Sequence, residues 1–204
     1  GEPQGRDDGK HDHRRVNPAL QGRSGVGAPM ITQAIIESGM TFGPYPDGRC
    51  FYIEKSNTYA DIQQGVQMAE FLLLRIDNGK PPVLWVVEAK SSTPRPETQP
   101  NFDEFIAEIR GKLVNAFSLG WASCLRRHRQ ATAELPTPYK KLDLSQVDVR
   151  FVLVINGHRE SWLPPIQEAL KKELHSTVKT WSFGPTSVAV INEELAEQYG
   201  LILP

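Results

Sequence analysis

The chain has 204 residues, 39% hydrophobic and 23% charged, with a formal net charge of −1 at pH 7. That is the balance of a folded domain with a substantial core rather than of a disordered chain, and no apolar run approaches the roughly 20 residues a membrane span requires. Near-neutral charge gives no global attraction to nucleic acid, so a nucleic-acid partner would have to be held by a local basic patch.

Residues 1–29, beginning GEPQGRDDGKHDHRRVNP, are polar and lack apolar periodicity, and they precede Met30. They read as a flexible leader or appended extension, in which His11 and His13 are more simply tail residues than metal ligands. Residues 30–204 then form the single folded domain, and a cytoplasmic location is the expectation. Cys50 and Cys124 are widely separated, without zinc spacing or the number for a disulfide framework, and read as buried thiols.

ITQAIIESGM, from residue 31, has a short helical period ended by Gly39, and GPYPDG is a turn leading to the strand CFYIEKS. Asn57 caps a short helix over NTYADIQQG. Residues 66–76 and 83–92, VQMAEFLLLRI and VLWVVEAKSS, read as strands of a hairpin joined through DNGKPP, and the prolines of 92–100 stop the second. Phe102, Phe105, Ile109, Leu113, Phe117, Trp121 and Cys124 recur at steps of three and four, predicting a long amphipathic helix. Asn101 would cap it, with Asp103 and Glu104 in its first turn and Arg126, Arg127 and Arg129 in its last. ATAELPTPYKK reads as a surface connection, 147–156 as an apolar strand and 161–174 as a helix. TVKTWSF and TSVAVI are further strand candidates, and EELAEQYG is a terminal helix ended by Gly200. The order of elements predicts an α/β fold with a mixed central sheet flanked by helices.

The chemistry concentrates in WVVEAKSS, residues 85–92. Residues i and i+2 share a strand face, so Glu88 and Lys90 project together beyond Leu84 and Val86. The hairpin partner offers Glu70, whose face depends on register. A loop Asp77-Asn78-Gly79 with Gly79 left-handed pairs 76 with 80 and sets Glu70 opposite Val86, on the face of Glu88; a two-residue Asn78-Gly79 turn sends it to the other face. Two carboxylates suit a hard cation that keeps several waters, leaving positions for a phosphate and an attacking water. A lysine beside them can orient that water or stabilise charge growing on phosphorus.

A glutamate before an apolar strand, a tight turn, a strand ending VEAK, a long helix and a strand-helix-strand tail together resemble the PD-(D/E)xK nuclease superfamily over roughly residues 50–192. The resemblance implies a restriction-endonuclease-like core and Mg²⁺- or Mn²⁺-dependent hydrolysis of DNA, favouring an endonuclease over an exonuclease. It assigns metal binding to Glu70, Glu88 and the backbone carbonyl of Ala89, with Lys90 serving the water. The family's usual first acid is an aspartate after proline, whereas here Glu70 follows Ala69. An additional acid from an early helix would be Glu54, and Glu108 and Lys112, one turn apart on the long helix, are candidates for the site's edge as well as for a simple surface ion pair. RNA is left open as a substrate, as are a homodimer and a larger defence or repair complex. The alternative is a nuclease-like module that binds nucleic acid or a protein without cleaving.

Other candidates have plainer explanations. Arg126, Arg127, His128 and Arg129 complement a helix dipole as readily as a phosphate, Lys140 and Lys141 suit a solvated loop, and Trp85 and Trp121 lie on apolar faces. Trp162 and Trp181 could stack on bases, and His158, beside Arg159 after a strand, could approach the site. GRSGVGAP follows no strand and lacks the lysine of a phosphate loop.

Overall fold

The computed structural model describes residues 33–202, so the readings made of residues 1–29 and of Met30 lie outside the described residues. Strands β1 (Ile35–Glu37) and β2 (Met40–Phe42) form a two-stranded antiparallel sheet; β3 (Cys50–Phe51), β4 (Phe71–Arg75), β5 (Val83–Lys90), β6 (Asp148–Ile155) and β7 (Val188–Asn192) form a five-stranded sheet in that order. Pairing is antiparallel through β5 and parallel from β5 to β7. The helices are α1 (Asn57–Ala60), α2 (Asn101–Cys124), α3 (Ala131–Glu134), α4 (Thr137–Lys140), α5 (Leu163–Trp181) and α6 (Glu193–Gln198). The fold is therefore α/β with a mixed central sheet, as composition and element order imply.

The two parallel steps, β5-α2-β6 and β6-α5-β7, lay both long helices on one face of the sheet. Leu72, Leu74, Leu84, Val86, Phe151, Leu153 and Ile155 pack there with Ile109, Leu113, Phe117, Leu170 and Leu174. The alternate residues Phe71, Leu73, Trp85, Val87, Val152 and Val154 pack on the opposite face against Met40, Phe42, Leu201 and Ile202. Burial of each such large apolar side chain contributes roughly 1.5–3 kcal/mol, so the strand alternation itself holds the two layers apart. Gly120 lets α2 sit close, since a Cβ there would lie 2.6 Å from Leu72 Cδ1.

Several expectations are corrected. The helix expected up to Gly39 is instead the hairpin β1–β2, because Ser38 (φ 50) and Gly39 (φ 77) make the two-residue left-handed turn that favours a hairpin. The strand expected over CFYIEKS ends at Phe51 and gives way to a 3-10 turn, Ile53–Lys55. Ser56, not Asn57, caps α1, its side chain accepting from the Tyr59 N–H. The α2 cap is Pro100, with Asn101 inside the helix, and the helix ends at Cys124, so Arg126, Arg127 and Arg129 lie beyond its last turn. ATAELPTPYKK is not a surface connection: it forms α3 and α4 and buries Ala131, Leu135 and Tyr139. The Tyr139 hydroxyl donates to the carbonyls of Arg49 and Leu72, both at 2.9 Å. TVKTWSF is not a strand, since α5 runs through to Trp181 and closes on left-handed Ser182. Its Trp181 ring meets Phe117 at 5.0 Å, tertiary packing that outweighs the β-preference of Thr177 and Val178.

Both cysteines are free and only partly buried. Burial pushes the Cys50 thiol up to about 12 and Cys124 up to about 11, so neither is a thiolate at neutral pH.

Candidate functional site: a buried carboxylate and lysine cluster

β4 and β5 pair Arg75 with Val83 through Phe71 with Val87, so the connecting loop spans residues 76–82 and accommodates both prolines. Neither proposed turn sets this register: it is displaced by two residues from the pairing of 76 with 80. A two-residue displacement keeps strand parity, and Glu70, just ahead of β4 with its N–H donating to the Val87 carbonyl at 3.0 Å, does join Glu88.

Glu88 is 0% exposed. Helix α2 crosses the same sheet face and brings Glu108 and Lys112 over it, so the sequence candidates from two distant elements converge. Lys112 Nζ donates to Glu88 Oε1 at 2.8 Å, and Lys90 Nζ lies 3.3 Å from the same oxygen. Lys90 also donates to Glu108 Oε1 at 3.0 Å, and Lys112 stands 4.0 Å from Glu108. The four groups alternate in charge. Glu108 and Lys112 are thus parts of one cluster with Glu88 and Lys90, not an isolated pair on the helix surface.

A second acidic group adjoins the first. Carboxylate oxygens of Glu37, Glu54 and Glu70 all lie within 4.8 Å of one another. Glu54 reaches this point from the 3-10 turn, whose Glu54 N–H donates to the Glu70 carbonyl at 3.2 Å. Glu37 comes from β1, where it accepts the Tyr52 hydroxyl. The hairpin is pinned by Ser38 Oγ, which donates to the Ala89 carbonyl at 3.0 Å, and by Asn156 Nδ2, which donates to the Ser38 carbonyl at 3.0 Å. One lone pair of the Ala89 carbonyl is therefore engaged by Ser38. Sequence reasoning missed Glu37 because it expected this segment to be helical; the Ser38-Gly39 turn pair was the available signal.

Electrostatics mark the cluster as under-compensated. Burial, then the charges of Glu88, Glu54 and Glu37, raise the Glu70 carboxyl from its ordinary 4.5 to about 8, against a smaller downward pull from Lys112. Burial also raises Glu88, outweighing its lysine partners. Burial alone would lower Lys112, yet the charge and hydrogen bond of Glu88 hold it above the ordinary lysine value. Glu70 Oε2 and Glu88 Oε2 are both buried and accept no hydrogen bond among the described residues. Including the Lys55–Glu54 pair at 2.8 Å, five carboxyl groups meet three ammonium groups, an excess of two negative charges when every carboxyl is ionised. An all-oxygen donor set with that excess fits a hard divalent cation. Glu37, Glu54 and Glu70 are the residues whose oxygens come close enough together to hold it.

The remaining candidates fall elsewhere. Trp85 is buried beside the guanidinium groups of Arg75 and Arg150, at 5.1 and 5.0 Å from its ring centre, and Trp121 is buried on the core-facing side of α2. Arg126, Arg127, Arg129, Lys140 and Lys141 are exposed. His158 and Trp162 line a cavity past the ends of β5 and β6. No described helix is long and apolar enough to cross a membrane. Compared with protein-family models, curated proteins and solved structures, the chain gives no match, so the functional reading rests on the geometry of its own residues.

Proposed function

We propose that the protein is a divalent-metal-dependent nuclease with a restriction-endonuclease-like core, cutting DNA internally. The observation that carries this reading is the pair of buried, unpartnered carboxylate oxygens on Glu70 and Glu88 beside the Lys90 ammonium. Mg²⁺ or Mn²⁺ would be held by Glu70 and Glu88 with Glu54 and Glu37 alongside, and would supply Lewis acidity and a more acidic bound water. Lys90, part exposed at the strand end, would orient that water and stabilise negative charge on the phosphate oxygens. Glu108 holds the Lys90 ammonium in position, and Lys112 donates to Glu88 and draws its raised carboxyl back down. RNA is the second substrate class compatible with this chemistry, because nothing in the cluster reads a 2′-hydroxyl. A dimer or a larger defence or repair complex would supply the recognition surface.

One observation favours a second reading, a non-cleaving module that binds nucleic acid or a protein: Lys112 already occupies Glu88 Oε1 at 2.8 Å, a position a metal ion would compete for. Nicking of supercoiled plasmid in Mn²⁺ decides between them. The nuclease reading expects metal-dependent nicking that falls by about 10²–10³-fold in folded Lys90→Ala, the scale of losing one charge-stabilising donor. Absence of nicking by the parent, or equal nicking by both proteins, would overturn it in favour of the binding module.

A further inference from the structure

The two strands that flank the site continue into a cavity that the cluster does not use. β5 and β6 run parallel and end together: Lys90 pairs with Ile155, and the Asn156 N–H donates to the Lys90 carbonyl at 2.9 Å. Three residues beyond each strand end, Thr93 and His158 face one another, Thr93 Oγ1 lying 3.2 Å from His158 Nε2. They begin the walls of a cavity of about 490 Å³, whose other lining residues include Arg95, Glu97, Ser161, Trp162 and Ile166. Chain geometry places Thr93 within roughly 11 Å of Lys90, since three residues span no more than that. The volume lies in the range of small-ligand sites.

The lining offers a flat aromatic surface beside one cation, Arg95, and one carboxylate, Glu97. Trp162 is 51% exposed although it packs edge-on to His158 at 5.5 Å, and the Arg159 guanidinium lies 5.3 Å from its ring centre. Burial lowers His158, leaving it largely neutral at pH 7 and suited to hydrogen bonding rather than charge pairing. Arg95, in the lining, and Arg159, beside the Trp162 ring, are exposed cations. The prolines at 94, 96 and 165 restrict the backbone around the opening before any ligand arrives.

We propose that this cavity binds one unpaired nucleotide of the substrate, its base stacking with Trp162 and its phosphate meeting Arg95 or Arg159, adjacent to the phosphodiester presented to Lys90. A base inside a duplex is stacked on both faces and cannot enter a concave pocket, whereas an unpaired base can be turned outward onto an aromatic side chain. A net charge of −1 also gives the protein no long-range hold on duplex DNA, so local stacking supplies what global charge does not. The assignment rests on the nuclease reading for the role of the pocket, though not for its ability to bind.

The test is fluorescence anisotropy in EDTA with labelled dT10, rU10 and a blunt ten-base-pair duplex, using the full chain and its Trp162→Ala and Trp162→Phe variants. The parent should bind single strands at least about tenfold more tightly than duplex; Trp162→Ala should lose about tenfold on the single strands alone, and Trp162→Phe should retain most of the affinity. A preference between dT10 and rU10 that Trp162→Ala abolishes supports the pocket, whichever of the two it favours. No single-strand binding by the parent, unchanged binding by Trp162→Ala, or an equal loss on duplex would each overturn the proposal. Plasmid nicking measured in parallel separates the two ideas: nicking that depends on Lys90 with Trp162→Ala binding unaltered removes only the pocket, while Trp162-dependent binding without any nicking removes only the nuclease.

Discussion

Replacing Lys112 by Met keeps most of the packing of the side chain and removes its charge, which isolates the role of that charge at Glu88. Glu88 is 0% exposed and Lys112 16%, and their 2.8 Å contact is the shortest the buried carboxylate makes to an ammonium group. Removing one partner of a buried ion pair destabilises by about 3–5 kcal/mol. Lys90 at 3.3 Å remains to compensate, so the expected loss in EDTA is nearer about 2–3 kcal/mol, a fall of roughly 5–10 °C in Tm for a chain of this size. The same change frees Glu88 Oε1, so Mn²⁺ should stabilise the variant more than the parent; a ligand at a hundred times its Kd contributes about 2.7 kcal/mol. Urea unfolding with EDTA or Mn²⁺ measures both effects, and repeating it in a Glu88→Gln background measures the coupling. A loss below about 0.5 kcal/mol in EDTA, or an undiminished loss once Glu88 is Gln, would refute the reasoning that Lys112 is the internal counter-charge of this carboxylate.

Glu70 makes both stability and metal binding depend on pH, with opposite signs. Its carboxyl, raised from 4.5 to about 8, keeps a proton in the native state that the unfolded chain has released. The metal-free protein should therefore be most stable below pH 4.5 as far as this group is concerned, and should lose that contribution as pH rises through 8. Mn²⁺ needs the ionised form, so its affinity should climb by up to about tenfold per pH unit towards pH 8 and then level off; calorimetry of Glu70→Gln showing the same slope as the parent would rule Glu70 out as the source. Glu37→Gln keeps an acceptor for the Tyr52 hydroxyl and removes one charge from the acidic group, so Mn²⁺ affinity should fall about tenfold with little change in Tm. An unchanged affinity would leave Glu37 as a partner of Tyr52 alone.

The site was legible in the sequence where it depends on strand periodicity. Glu88 and Lys90 share a face because side chains alternate along β5 whatever the strand pairs with, and Glu70 joined them although the hairpin register was displaced by two residues. An odd displacement would have sent Glu70 away. Glu108 and Lys112 were found because α2 is long and strongly periodic, but nothing local showed that they would meet Glu88; that follows from the crossover from β5 to β6, which lays α2 on the face where Glu88 points. The failures are the short or tertiary-determined elements. ITQAIIESGM carries too few residues for its period to decide between helix and hairpin, and Tyr139 is buried by hydrogen bonds to Arg49 and Leu72, residues far away in the chain. Glu37 enters the site through docking of the hairpin turn onto Ala89 and Asn156, contacts with no counterpart in local sequence pattern.

The cluster makes little sense as a purely structural device. Each buried carboxylate oxygen left without a hydrogen bond carries a penalty of about 1–3 kcal/mol, and Glu70 and Glu88 each present one. A methionine or leucine at either place would avoid that penalty and extend the apolar face already formed by Leu72, Leu74, Leu84 and Val86. The two lysines contacting Glu88 are also shared with Glu108, so the excess negative charge falls on Glu37, Glu54 and Glu70, where among the described residues only Lys55 forms a close ion pair, with Glu54. Stability therefore argues against this arrangement at the residues where the chemistry of a hard cation argues for it. Local conflict of that kind, set within a sheet whose other positions agree with their burial, supports the proposed metal site over an ordinary charged strand end.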